Sequence, residues 1–127
     1  MNIFERLGNY ANGIAILRDW LGGEALPVAK STAQARADIC RQCEHNWGKS
    51  GLTGTIADAI REQIELKNHL DLTVDYEDEL KNCAVCDCVN RLQVWCPDKL
   101  FQNHYTRADM VRYPDFCWKR KLIEQNL

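Results

Sequence analysis

Apolar side chains recur at Ile3, Phe4, Leu7, Tyr10, Ala11, Ile14, Leu17 and Leu21. This i, i+3, i+4, i+7 spacing predicts an amphipathic helix over residues 3–21, with Trp20 off the main stripe as a candidate contact for a partner. Gly8 and Gly13 weaken it by roughly 1 kcal/mol each against alanine, and Gly22-Gly23 supplies a left-handed stop. Residues 24–30 read as an extended linker around Pro27. Ser31 and Gln34 have capping-box spacing, so a short helix should run through residues 33–38 into Cys40. Residues 46–54 hold three glycines and read as a loop. Ile56, Ile60, Ile64 and Lys67 then share one face of a helix from about 55 to 70, capped by Thr53 or Thr55. Leu72-Thr73-Val74 predicts a short strand and residues 75–79 an acidic turn.

The pattern after residue 80 is shorter in period. Residues 89–95 alternate in their second half and predict a strand. Pro97 opens a short helix over 98–104 with Leu100 and Phe101 inward. Thr106 with Asp109 starts another helical turn, Tyr113-Pro114-Asp115 breaks it, and a last helix turns Phe116, Trp118, Leu122 and Ile123 inward and Lys119-Arg120-Lys121 outward.

Composition narrows the class. The 127 residues are 46% hydrophobic and 27% charged, which argues against global disorder. No apolar run is long enough for a transmembrane helix, and the first residues lack the apolar core of a secretory signal. A net charge of −2 gives no overall basic field. Charge is uneven: residues 55–82 carry eight acids and three bases, whereas residues 98–127 carry six bases and four acids. The acidic stretch reads as solvated surface, or as a docking patch for a basic partner. Paired acids such as Glu62 with Glu65, or Asp78 with Glu79, have nothing around them that would raise a pKa for acid–base work.

Seven cysteines, at positions 40, 43, 83, 86, 88, 96 and 117, change the picture most. Cys40-Arg41-Gln42-Cys43 and Cys83-Ala84-Val85-Cys86 are two CxxC knuckles, each able to offer two thiolates to one side of a tetrahedron. Together Cys40, Cys43, Cys83 and Cys86 predict one structural Zn2+ per chain. A disulfide framework fits poorly with an odd count and no export signal, and a redox CxxC needs a strand–motif–helix context absent here. Cys88 is an alternative to Cys83 or Cys86, and Cys96, before Pro97, is either a ligand or a small buried hydrophobe. Cys117 sits between Phe116 and Trp118 and reads as core. His45 reads as a loop residue, and His69 and His104 have no partner at ligand spacing. The expected fold is mostly α with a small zinc-ribbon-like knuckle region: an N-terminal amphipathic helix over 1–23, then one zinc-stapled helical domain over 24–127, short helices surrounding a four-cysteine site.

The run Arg36-Ala37-Asp38-Ile39-Cys40-Arg41-Gln42-Cys43-Glu44-His45-Asn46, then Cys83-Ala84-Val85-Cys86-Asp87-Cys88 and Cys96-Pro97, resembles small tailed-phage zinc-ribbon-like proteins. Ile16 to Gly23, before the proline-containing linker, is similar to members of the same group. This chain departs from the group in carrying Asp87 where glycine often follows the second knuckle, and in about 39 residues between knuckles. The resemblance implies a zinc site and a phage origin, hence a place in the virion or in the host cytoplasm.

Three functions are weighed. The first is an accessory or virion-associated protein that docks a phage structural protein or a host protein, with zinc structural. The alternative is a zinc-ribbon nucleic-acid-binding or transcription-regulating protein using Arg36, Arg41, Lys49, Arg91 and Lys119-Arg120-Lys121, with Trp47 and Trp95 stacking on bases. Against it stand the net negative charge and the acidic turn beside the second knuckle. An enzyme is disfavoured, because an all-cysteine zinc is closed and no nucleophile elbow, P-loop or HExxH is present.

Overall fold

A computed structural model of the chain describes residues 3–48 and 51–127. The side chains of Ile3, Phe4, Leu7 and Tyr10, which open the predicted stripe, and Lys49 altogether lie outside the described residues. The described residues form helices α1 (Ile3–Gly22), α2 (Lys30–Gln42), α3 (Gly51–Asn68), α4 (Asn90–Gln93), α5 (Asp98–His104), α6 (Arg107–Met110) and α7 (Trp118–Gln125). A 3₁₀ turn covers Glu77–Glu79, and no strand occurs among the described residues. The mostly α expectation therefore holds.

The inward face of α1 differs from the predicted stripe. Ile16 and Trp20, four residues apart, are buried, whereas Ile14 is 69% exposed. Trp20 is thus a core residue rather than a free contact. The rotation follows from what α1 packs on: α3 along one side and α5 along the other. Asp19 at its C-terminal end accepts a 2.7 Å contact from His104 Nε2 of α5. The linker after α1 is held by Val28 N–H donating to the Trp95 carbonyl at 3.2 Å.

Helix α2 begins without the expected capping box; Ala29 is its N-cap and makes no side-chain cap bond. Gln34, the other half of the predicted box, instead accepts from the Asp75 backbone N–H at 2.7 Å and donates to Asp38. Ala33, Ala37 and Cys40 lie on one buried stripe with Arg36, and α2 touches α4. Helix α3 starts earlier than predicted and turns Ala57 and Ile64 inward, leaving Ile56 half exposed.

Two predicted strands are absent. Leu72 and Val74 are buried on either side of exposed Thr73, so the two-residue alternation is real. That segment joins no ladder; its Leu72 N–H donates to Glu65 Oε2 at 2.8 Å and its Leu72 carbonyl accepts from Arg61 at 3.3 Å. Residues 90–93 form the helical turn α4, closed by Gln93 N–H to the Val89 carbonyl and Val94 N–H to the Asn90 carbonyl. The predicted alternation there fails because Leu92 to Cys96 are all buried, so no face was left polar. Helix α5 follows Pro97 as expected, with Phe101 fully buried. Thr106 and Asp109 cap α6 reciprocally. In α7, Trp118, Leu122 and Ile123 face inward as predicted, but so does Lys119 at 1% exposure, and Phe116 is half exposed.

Candidate functional site

The two knuckles meet through backbone. Trp47 N–H donates to the Asn82 carbonyl at 2.9 Å, Ala84 N–H to the His45 carbonyl at 2.7 Å, and Asn46 and Cys83 form an antiparallel bridge. The first knuckle leaves α2 where Cys43 adopts an extended conformation, its N–H donating to the Cys40 carbonyl. The His45 N–H then points back to Cys43 Sγ at 3.4 Å, an N–H···S contact that favours a thiolate. The second knuckle is a tight turn closed by Cys83 N–H to the Cys88 carbonyl and Asp87 N–H to the Cys83 carbonyl. Asp87 has φ +59°, the left-handed region that glycine enters without cost and aspartate tolerates. That geometry accounts for a glycine being suited to this position. Here Asp87 Oδ2 gains a bond from Asn9 Nδ2 of α1 at 3.1 Å.

These turns sort the cysteines into two groups. Cys40, Cys43, Cys83 and Cys117 line one recess of about 10 Å³, together with His45, Asn46, Asn90 and Lys119. Cys86, Cys88 and Cys96 line a separate cavity of about 330 Å³ between α1, α3 and the second knuckle. Three of the four predicted ligands therefore share the recess, and Cys86 lines the cavity while its thiol bonds to that of Cys83. Cys117, expected in the core, is buried and also stands on the recess wall. None of the seven is in a disulfide.

Burial governs most of the thiols. It pushes Cys40 and Cys43 up, Cys86 to about 11 and Cys96 to about 12. Cys83 is raised first by its hydrogen bond with Cys86 and then by burial. Cys88 is lowered, chiefly because the Cys86 thiol bonds to it, and its Sγ lies 3.2 Å from Tyr105 Oη.

Two groups from α7 reach these sulfurs. Trp118 Nε1 donates to Cys40 Sγ at 3.3 Å. Lys119 Nζ donates to Asn90 Oδ1 at 3.2 Å and lies 3.6 Å from Cys86 Sγ. No carboxylate among the described residues pairs with that ammonium. The sequence hid this inward turn, since Lys119 begins a basic triplet; its place beside inward-facing Trp118 at the start of a short helix is the only local signal.

Chemically, the recess offers four sulfurs and buried hydrogen-bond donors, a donor set suited to a soft divalent ion. As the side chains stand, no three His, Cys, Asp or Glu groups among the described residues are arranged to hold a metal ion. The fit is thus one of donor chemistry and common location.

The large cavity is almost wholly apolar. Ile14, Ile16, Leu17, Ile56, Ala57 and Leu92 form much of its wall. Trp20 and Gln93 also border it, and their Nε1 and Oε1 atoms are buried without a hydrogen-bond partner. No helix is long and apolar enough to cross a membrane among the described residues. No family model matches this chain, and no curated protein or solved structure is significantly similar to it.

Proposed function

We propose that this chain is a zinc-stapled protein that works by protein–protein contact, an accessory or virion-associated protein of the small tailed-phage zinc-ribbon-like kind, and that it catalyses no reaction. The zinc is structural and holds the two knuckles together; the convergence of Cys40, Cys43 and Cys83 on one recess supports that part.

The observation that carries the contact is the apolar cavity between α1 and α3. Ile14 and Ile56 remain 69% and 47% exposed at its wall. An apolar segment of a partner protein suits it, because the wall is apolar and two of its large aliphatic side chains are left open to water. A nucleic acid fits less well. Arg36 is buried and bonded to the Val94 and Cys96 carbonyls and to Asp98; Arg41 pairs with Asp38 and Arg91 with Asp58. Trp95 is buried, and only Trp47 of the proposed stacking pair is exposed.

A photo-crosslinker placed at Ile14 in cells making the protein is expected to trap a protein that a crosslinker at exposed Leu66 does not trap. Ile56→Asp should abolish that product. A product with DNA or RNA would favour the nucleic-acid reading, and identical products from both positions would overturn the cavity as the contact.

A further inference from the structure

Resting on the structural-zinc part of that reading, we propose that the fourth sulfur on the metal is Cys117, so that Cys40, Cys43, Cys83 and Cys117 form the site and Lys119 supplies its counter-charge.

The first argument is location. Cys117 stands with Cys40, Cys43 and Cys83 on the wall of the 10 Å³ recess, whereas Cys86 opens on the large cavity with Cys88 and Cys96. Tetrahedral zinc with bonds of about 2.3 Å needs sulfurs roughly 3.8 Å apart. Four cysteines that already border one small recess must close to that spacing around the metal. Cys86 bonds to the Cys83 and Cys88 thiols but does not border the recess, whereas Cys117 and Cys83 are the cysteines whose charge acts on both Cys40 and Cys43.

The second argument is charge. Four thiolates and one Zn2+ leave a net charge of −2, which a closed interior must neutralise. Lys119 brings a positive charge to the same recess wall at 1% exposure, with the Asn90 amide oxygen, the Cys86 sulfur and the Tyr113 and Trp118 rings as its near partners and no carboxylate among the described residues. An ammonium buried this way is expensive unless an anion sits beside it. Trp118 Nε1 adds a hydrogen bond to Cys40 Sγ, and the N–H contact from His45 adds one to Cys43 Sγ. Cys117, Trp118 and Lys119 are consecutive, so one short segment delivers the last ligand, a sulfur donor and the balancing charge. Cys117 is also the N-cap of α7, where the helix dipole favours an anionic sulfur. His45 also borders the recess, yet its ring lies 3.8 Å from the exposed Glu44 carboxylate.

The test is native mass spectrometry of the full chain with zinc, joined to absorption spectra with Co2+ as the probe metal. The wild type is expected to hold one zinc. Cys86→Ser should keep that zinc and the full thiolate-to-cobalt charge-transfer intensity. Cys117→Ser should lose zinc, or keep Co2+ with about a quarter of that intensity missing, as the count of sulfurs falls from four to three. Cys117→His guards against misfolding of the serine variant: it offers another zinc ligand, and its cobalt d–d bands should move to shorter wavelength. Unchanged bands in Cys117→His, or zinc kept by Cys117→Ser and lost by Cys86→Ser, overturn the assignment while leaving structural zinc intact. A wild-type chain that takes no zinc overturns both.

Discussion

An ammonium shut away from water needs something negative within a few ångströms, and for Lys119 that means sulfur. Desolvation works against its charge, but Cys83, Cys86, Cys40 and Cys88 around it outweigh that effect and raise its pKa. The support depends on the state of the sulfurs: protonated thiols offer only dipoles, and thiolates offer full charge. Lys119→Met should therefore act with opposite signs in the two states. Without metal it removes a poorly compensated buried charge and should stabilise the chain by about 1–2 kcal/mol. With zinc it removes the counter-charge and should weaken metal affinity at least tenfold. Chemical denaturation of the metal-free protein and competition with a zinc chelator measure the two effects, and the same sign in both would show that Lys119 acts only by packing.

At the scale of elements, the charged pairs act as ties between helices. Arg91 of α4 holds Asp58 of α3 at 2.8 Å and also donates to the Gly54 carbonyl at 3.2 Å. The bond from Arg91 keeps the Asp58 carboxyl below its usual range. A carboxylate with a depressed folded-state pKa contributes stability above its unfolded value of about 3.9, and loses it as pH falls through the folded value. Asp58 is half exposed, so the tie is worth only a few tenths of a kcal/mol. Asp58→Asn should thus lower stability slightly at neutral pH, and its gap from the wild type should close below pH 4. Urea titrations at pH 7 and pH 3.5 check this; a gap that widens in acid would contradict it.

How much of these elements could be read from the chain followed the strength of their local signals. The helices with long spacing or a definite punctuation mark, at 3–21, 98–104 and around Thr106, were legible. The capping box at Ser31 was not formed, because Gln34 found a distant backbone partner in Asp75. Residues 89–95 misled because full burial erases periodicity. Of the candidate site, Cys40, Cys43 and Cys83 border one recess, and Cys86, the fourth expected ligand, meets it through its bond to the Cys83 thiol. The places of Cys117 and Lys119 were illegible, since they depend on α7 docking across nearly 80 residues of chain.

At the scale of the whole molecule, the helices after residue 89 are short and much of the connecting chain is irregular, held by side-chain bonds to backbone such as Arg36 to the Val94 and Cys96 carbonyls and Gln102 to the Leu122 carbonyl. Such a framework has few regular ladders to hold it if the centre loosens. Metal binding energy in a structural site is folding energy. Chelation is therefore expected to lower Tm by on the order of 20 °C and to release the knuckles and α7 together. Calorimetry with and without a chelator checks this, and an unchanged Tm would mean that the helices carry the fold unaided.

The bond from Trp118 to Cys40 Sγ also sets a timetable. The two residues are 78 positions apart, so at 5–20 residues per second a ribosome adds Trp118 roughly 4–16 s after Cys40. During that interval the first knuckle has neither its indole cover nor the lysine beneath it. Nascent Cys40 and Cys43 are open to oxidants and to any soft cation that reaches them, and the chain cannot seal its sulfur interior until translation has moved well past the second knuckle.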